Sequence, residues 1–176
     1  MRANDPVISV RFPKPEDSRE FITRARSSRE FHRGFVEPPS NDEAFEIYLE
    51  KSRRESDRCF LIIADDDRQI AGAINLSQIF YGGFKNAYLG YYLFAGFSGR
   101  GIMTRALGKV IRIAFEDLRL HRLEANVQPH NRDSIRLVKK IGFIKEGYSR
   151  KYLKIGGKWC DHERWAMIKE DWIRKR

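Results

Sequence analysis

The chain has very little cysteine, no long apolar run and too few acidic residues to balance its basic ones. Cys59 and Cys160 are its only cysteines and lie 101 positions apart in 176 residues. That spacing matches neither a zinc motif nor a disulfide framework, so two reduced thiols and no metal are expected. Nothing approaches the roughly 18 apolar residues that a membrane span needs. The opening "MRANDPVISV" lacks the charged-then-apolar layout of a secretory signal. A cytoplasmic protein without membrane association is expected. Internal repeats, low-complexity tracts and long linkers are also missing, which argues for one domain over 1–176.

Asp and Glu total 24 against 34 Lys and Arg, a net charge of +10. Such an excess predicts attraction to something anionic: nucleic acid, a ribosome or a polyphosphorylated cofactor. The cations are dispersed along the chain, as on an ordinary solvated surface. No stripe of basic residues interleaved with stacking aromatics is visible, which weighs against a noncatalytic RNA-binding or partner-binding module.

What is present reads as alternating elements. "VISVRF" (7–12) alternates as a strand, and a helix is predicted over 15–28 with Pro15 in its first turn. Residues 29–40, "REFHRGFVEPPS", are predicted to hold no regular element. Asn41 or Asp42 then caps a helix over 42–56 with Phe45, Tyr48 and Leu49 on one side. "CFLIIADDD" (59–67) and "QIAGAINLSQIFYG" (69–82) form a hairpin about an acidic turn, and "NAYLGYYLFAG" (86–96) is a further strand. Apolar positions from Leu107 to Leu118 repeat at helical spacing for nearly five turns. "HRLEANV" (121–127) is a strand, 132–141 a helix, and 152–168 a closing hairpin around Gly156 and Gly157. The resulting fold class is α/β (α+β): a mixed, mostly antiparallel sheet of about seven strands with helices on both faces.

"GFSGRGIMTRAL" (96–107) leads from a strand through spaced glycines into a helix. Such a turn offers close backbone approach, convergent N–H groups and the positive end of a helix dipole, all suited to an anion. Glycine is equally needed for a tight turn on steric grounds alone. No Gly-Lys-Ser/Thr follows, which excludes a Walker loop, and the turn comes after four strands, too late for a dinucleotide fold.

"YLGYYLFAGFSGRGIMTRAL" and "HRLEANVQPHNRDSIRLVKKIGFIKEGY" resemble the GNAT superfamily of acetyl-CoA-dependent N-acetyltransferases, and within it the ribosomal-protein-alanine N-acetyltransferases. The likeness is dense from about 87 to 165, while 1–86 agree in element order more than in letters. It implies that Ser98, Gly99, Arg100, Gly101, Ile102, Met103 and Thr104 hold the cofactor diphosphate. Gly96 stands where the family pattern has Gln or Arg, so one anchoring side chain is missing.

The resemblance further implies that acetyl-CoA enters between the strands at 88–95 and 121–127. Backbone groups of Leu93, Phe94 and Ala95 would pair with its pantetheine, and an amide near Phe94 would polarise the acetyl carbonyl. Val138 occupies the position where many members carry a tyrosine that protonates the leaving thiolate. Asn131 and Ser134 reproduce the subfamily's Asn-x-x-Ser. They are read as a pantetheine contact and a thiolate stabiliser or acid, beside the alternative that they merely cap and fill a first helical turn. Strand alternation sets Glu124 and Asn126 on one face, against Leu123, Ala125 and Val127. Polar side chains on a central strand point to a cleft, so Glu124 is the candidate base and Asn126 a candidate cofactor contact. Asp161, His162, Glu163 and His130 are rival bases.

For the acceptor, "FHRGFVEPPS" and "FYGGFKN" (80–86) are expected to frame the amine site. A peptide or protein N-terminus, ribosomal in origin, is the leading substrate; polyamines and aminoglycosides are the alternatives. Monomer and homodimer both remain open.

Overall fold

The computed structural model describes residues 7–64 and 68–175. The acidic turn read at 65–67 lies outside the described residues. Seven strands form one sheet in the order β1-β2-β3-β4-β5-β7-β6. They are β1 (Ile8–Arg11), β2 (Arg58–Ala64), β3 (Gln69–Phe80), β4 (Asn86–Leu93), β5 (Arg122–Val127), β6 (Ile144–Ile155) and β7 (Lys158–Ile168). Every neighbouring pair is antiparallel except β4 and β5.

The N-terminal helices are α1 (Ser18–Ser27), α2 (Arg29–His32) and α3 (Asp42–Ser52). Asn41 is the cap of α3, its side chain accepting the Ala44 N–H at 2.8 Å. Phe21 of α1 touches Phe45 and Tyr48 of α3 and sits edge-on to Phe94 beyond β4. These helices therefore cover the sheet face that carries Phe94. The opposite face is covered by α4 (Ile102–Arg112) and α5 (Arg132–Ile141). Ile102, Ala106, Leu107, Val110 and Ile111 of α4 are essentially inaccessible to water. Each large one contributes about 1.5–3 kcal/mol by burial.

Several expectations need correction. A short α2 interrupts the segment read as wholly irregular; His32 N–H closes its first turn on the Ser28 carbonyl. The helix read over 15–28 is a single 3₁₀ turn at Pro15–Asp17 followed by α1. The long helix after the glycines stops being α at Arg112 and continues as one π turn, Ile113–Asp117, closed by Leu118 N–H to Ile113 C=O at 2.9 Å. Strand β6 starts at Ile144, eight residues before the hairpin expected at 152, because exposed polar positions hid its pairing with β7. A final helix, α6 (Lys169–Arg174), sets Trp172 against Phe115. No helix among the described residues is long and apolar enough to cross a membrane.

Candidate active site

The parallel strands β4 and β5 share only three rungs, Asn86↔Arg122, Ala87↔Leu123 and Tyr88↔Glu124. Beyond Tyr88, β5 continues against β7 as far as Val127, while that edge of β4 has no strand partner. A gap therefore opens in the middle of the sheet. Since the Phe94 N–H points to β3, alternation turns the backbone groups of Tyr91 and Leu93 towards the gap.

On the α4 side of the gap lies the glycine turn. Gly96, Gly99 and Gly101 have φ of +88°, +76° and +73°, and a Cβ at any of them would meet nothing within 4 Å. Backbone curvature, not crowding, thus demands glycine here, and it leaves open space over the main chain. Gly101 precedes α4 with no side-chain cap, so the N–H groups of Ile102, Met103 and Thr104 have no partner within the helix. Phe97 and Ile102 anchor the turn in the core, while Ser98, Gly99 and Arg100 face solvent. An anion fits such a cradle.

Ser134 sits in the first turn of α5 on the same face. Its hydroxyl lies 2.6 Å from the phenol of Tyr91, which strand alternation turns towards α5. Burial pushes the Tyr91 phenol up to about 12, and the contact with Ser134 partly opposes that. Asn131 caps α5, its Oδ1 accepting the Ser134 N–H at 3.1 Å; only its Nδ2 is left for a ligand. Val138 is fully buried.

The other face of the gap is polar. Tyr88, Gly90 and Tyr92 of β4 lie on it with Arg122, Glu124 and Asn126 of β5, as the Tyr88↔Glu124 rung requires. Gly90 is exposed in mid-strand, and a Cβ there would meet nothing within 4 Å, so the cleft floor is bare main chain. Arg122 Nε donates to Glu124 Oε1 at 2.8 Å, and its other end pairs with Glu146. Glu146 first, then Glu124, hold that guanidinium more firmly protonated against its desolvation. A hydrogen bond with Tyr152 and burial push the Tyr88 phenol up to about 12. The Asn126 Oδ1 is buried without a partner, an atom that a ligand in the gap would satisfy.

The expected backbone contacts at 93–95 are mostly engaged elsewhere. Phe94 N–H donates to the Ala71 carbonyl at 2.8 Å, away from the gap, so it is not the amide that polarises a bound carbonyl. Ala95 N–H donates to Ser28 Oγ at 2.9 Å, and the Leu93 carbonyl accepts from His32 Nε2 at 2.7 Å. The rival bases are similarly placed. Asp161 accepts from the Tyr148 hydroxyl and the Lys151 N–H, which lower its pKa. Glu163 is paired with Lys145 and Trp165 Nε1. His130 packs on Phe35 at 5.2 Å. His162 is buried on the Glu124 face; desolvation lowers its pKa, and Nδ1 bonds the Cys160 carbonyl at 3.0 Å.

The two acceptor loops are not together. Loop 81–85 joins β3 to the start of β4, at the opposite end of that strand from the gap, whereas 33–40 approaches the gap through Gln128 Nε2 on the Gly34 carbonyl. Sequence reasoning also missed Tyr91 and His32. Period-two alternation could have found Tyr91, because it separates that residue from Tyr88 and Tyr92. Nothing local marked His32, which is 4% exposed with Nδ1 unpartnered.

A half-splayed parallel pair beside a glycine turn into a helix defines a class of acyl-transferring fold. The chain belongs to the acetyltransferase (GNAT) domain family, whose pattern matches residues 8–144. It is 40% identical over 124 residues to the probable N-acetyltransferase YjcK of Bacillus subtilis, covering 70% of this chain and 68% of that protein. To the [ribosomal protein uS5]-alanine N-acetyltransferase of Escherichia coli it is 39% identical, over 66% of this chain and 60% of the other. The solved ribosomal-protein-S5-alanine acetyltransferase of Vibrio fischeri superposes with a TM-score of 0.84 at 28% identity, over 94% of each chain. The spermidine N-acetyltransferase of Vibrio cholerae, solved with CoA and spermine, shares the fold at TM-score 0.81 and 21% identity, over 94% of this chain and 98% of that one.

Proposed function

We propose that this enzyme transfers the acetyl group of acetyl-CoA to the N-terminal α-amine of a protein, with a ribosomal protein as the leading acceptor. The observation that carries the reading is the gap between β4 and β5, with a hydroxyl pair on one face and a carboxylate on the other. When bound, acetyl-CoA supplies a thioester carbonyl and a thiolate leaving group. The amides from Ser98 to Thr104 would hold its diphosphate, with α4 contributing its positive end. The gap-facing backbone of Tyr91 and the N–H of Leu93, whose carbonyl is taken by His32, would align its arm.

An α-amine has an ordinary pKa of about 7.7–8.0, so part of it is already neutral near pH 7 and a weak base suffices. Glu124 Oε2, the oxygen that Arg122 Nε does not hold, would take the amine proton as the N–C bond forms. On the far face Ser134 Oγ would donate a hydrogen bond to the sulfur as the C–S bond breaks, while Tyr91, keeping its proton, would support it by donating to Ser134 Oγ. General acid or base assistance of this kind is worth about 10²–10⁴ in rate.

The acceptor side favours a peptide. The bare floor at Gly90 suits an extended main chain. The test is acetyl transfer to alanine-initiated ribosomal-protein peptides and to spermidine under the same conditions. Peptide activity exceeding spermidine activity by tenfold or more is expected; activity on spermidine alone overturns the acceptor assignment.

A further inference from the structure

The end of the sheet farthest from the gap carries a second feature that acetyl transfer does not use. At the β3–β4 turn, Phe80, Tyr81 and Phe84 are 54%, 45% and 76% exposed, and the rings of Phe80 and Phe84 are 6.5 Å apart. The same turn forms one wall of a recess of about 450 Å³ lined by Lys85, Arg119, His121 and Lys169, with Glu116 as its one carboxylate. The Lys85 carbonyl accepts the N–H groups of His121 and Arg122, at 2.6 and 3.1 Å, which ties the aromatic turn to the basic loop. His121 also faces Glu170 at 3.5 Å. No carboxylate among the described residues pairs with the side chains of Lys85, Arg119 or Lys169.

Exposed flat rings beside unpaired cations call for a ligand that offers both π-faces and anions. An acidic peptide would answer the cations and leave the rings in water; an apolar protein surface would do the reverse. A duplex keeps its bases stacked inside, out of reach of the rings. Unpaired bases on a phosphate backbone satisfy both needs at once. We propose that this end of the molecule binds a single-stranded RNA segment, with bases on Phe84 and Phe80 and phosphates in the recess of Lys85, Arg119 and Lys169. The platform lies before Asn86 and the gap opens beyond Tyr88, two residues or roughly 7 Å along β4 at about 3.3 Å per residue, and runs on towards Leu93. RNA and acetyl acceptor can therefore be held together, as a substrate tail projecting from a folded RNA would require. The inference rests on this surface alone and survives if the acceptor of the acetyl group is something else.

The test is binding of a labelled single-stranded RNA of about 12 nucleotides to the full-length chain across a salt series. Three neutralised phosphates predict a slope of log K against log salt near −2, and Lys85→Glu reduces its magnitude by about 0.7. Phe84→Ala weakens binding about tenfold or more, while peptide acetylation and the melting temperature stay unchanged. Lys140→Glu, an equal charge change on exposed α5, leaves binding as it was. Four results overturn the proposal: no binding at low salt, equal binding of a duplex, displacement of the RNA by CoA, or equal losses from Lys140→Glu and Lys85→Glu. So does a Phe84-dependent dimer in solution, which would assign the aromatic patch to a second copy of the chain.

Discussion

The hydroxyl pair beneath the gap makes the sharpest kinetic prediction. Tyr91 Oη and Ser134 Oγ are 2.6 Å apart, and burial raises the phenol from 10 to about 12, so Tyr91 keeps its proton throughout the working pH range. If Ser134 meets the sulfur and Tyr91 acts through it, Ser134→Ala removes the whole contribution, about 10²-fold in kcat for one donor aimed at developing charge. Tyr91→Phe removes only the supporting hydrogen bond, net about 0.5–1.5 kcal/mol, or roughly two- to tenfold. The double variant should then be no slower than Ser134→Ala alone, since residues acting as one unit are not additive. Steady-state kinetics on all four proteins, with KM for acetyl-CoA measured separately, close the cycle. Multiplicative losses refute the coupling, and an unimpaired Ser134→Ala removes the serine from the mechanism.

Gly101→Ala forces φ +73° on a residue with a Cβ, at about 1–2 kcal/mol, or a few degrees of melting temperature. Its added methyl occupies the open approach, so CoA affinity by calorimetry should fall at least tenfold. Gly72→Ala puts a Cβ 2.2 Å from the Tyr92 carbonyl oxygen and 2.8 Å from Leu93 Cα. Both are backbone atoms, so β4 must shift; a loss of about 1–3 kcal/mol by denaturation and a fall in kcat are expected together. Burial depresses the pKa of both His32 and His162 below 6.5. The neutral rings contribute stability above about pH 6.5 that is lost as pH falls. Melting temperatures should be flat above pH 7, decline below 6.5, and decline less steeply in His32→Gln.

What the sequence disclosed was mostly what local periodicity encodes. Helix α5 appears over 132–141 as read, because Asn131 caps it and Gly142 ends it with positive φ. The face of β5 that carries Glu124 was equally legible, since burial alternates residue by residue from Arg122 to Val127. Contacts between segments distant in sequence were not. The Ser28 bond to Ala95 and the His32 bond to Leu93 span more than 60 residues, and they occupy backbone groups that the family resemblance had assigned to the cofactor. Loop 80–86 has the composition of a substrate loop, but only the direction of β4 decides at which end of the sheet it lies. The aromatic-basic platform was hidden for the same reason: the turn at Gly83 and Lys85 and the loop at Arg119 and His121 are far apart in the chain, line one recess, and are tied by the Lys85 carbonyl accepting the His121 N–H.

The central claim is that the cofactor enters the gap between β4 and β5 with its diphosphate on the glycine turn. A crystal structure of the chain soaked with CoA tests it most directly. The account predicts diphosphate oxygens within hydrogen-bond distance of amides between Ser98 and Thr104, and the thiol close to Ser134 Oγ. A nucleotide seated elsewhere, or a thiol on the far side of the sheet from Ser134, would contradict it.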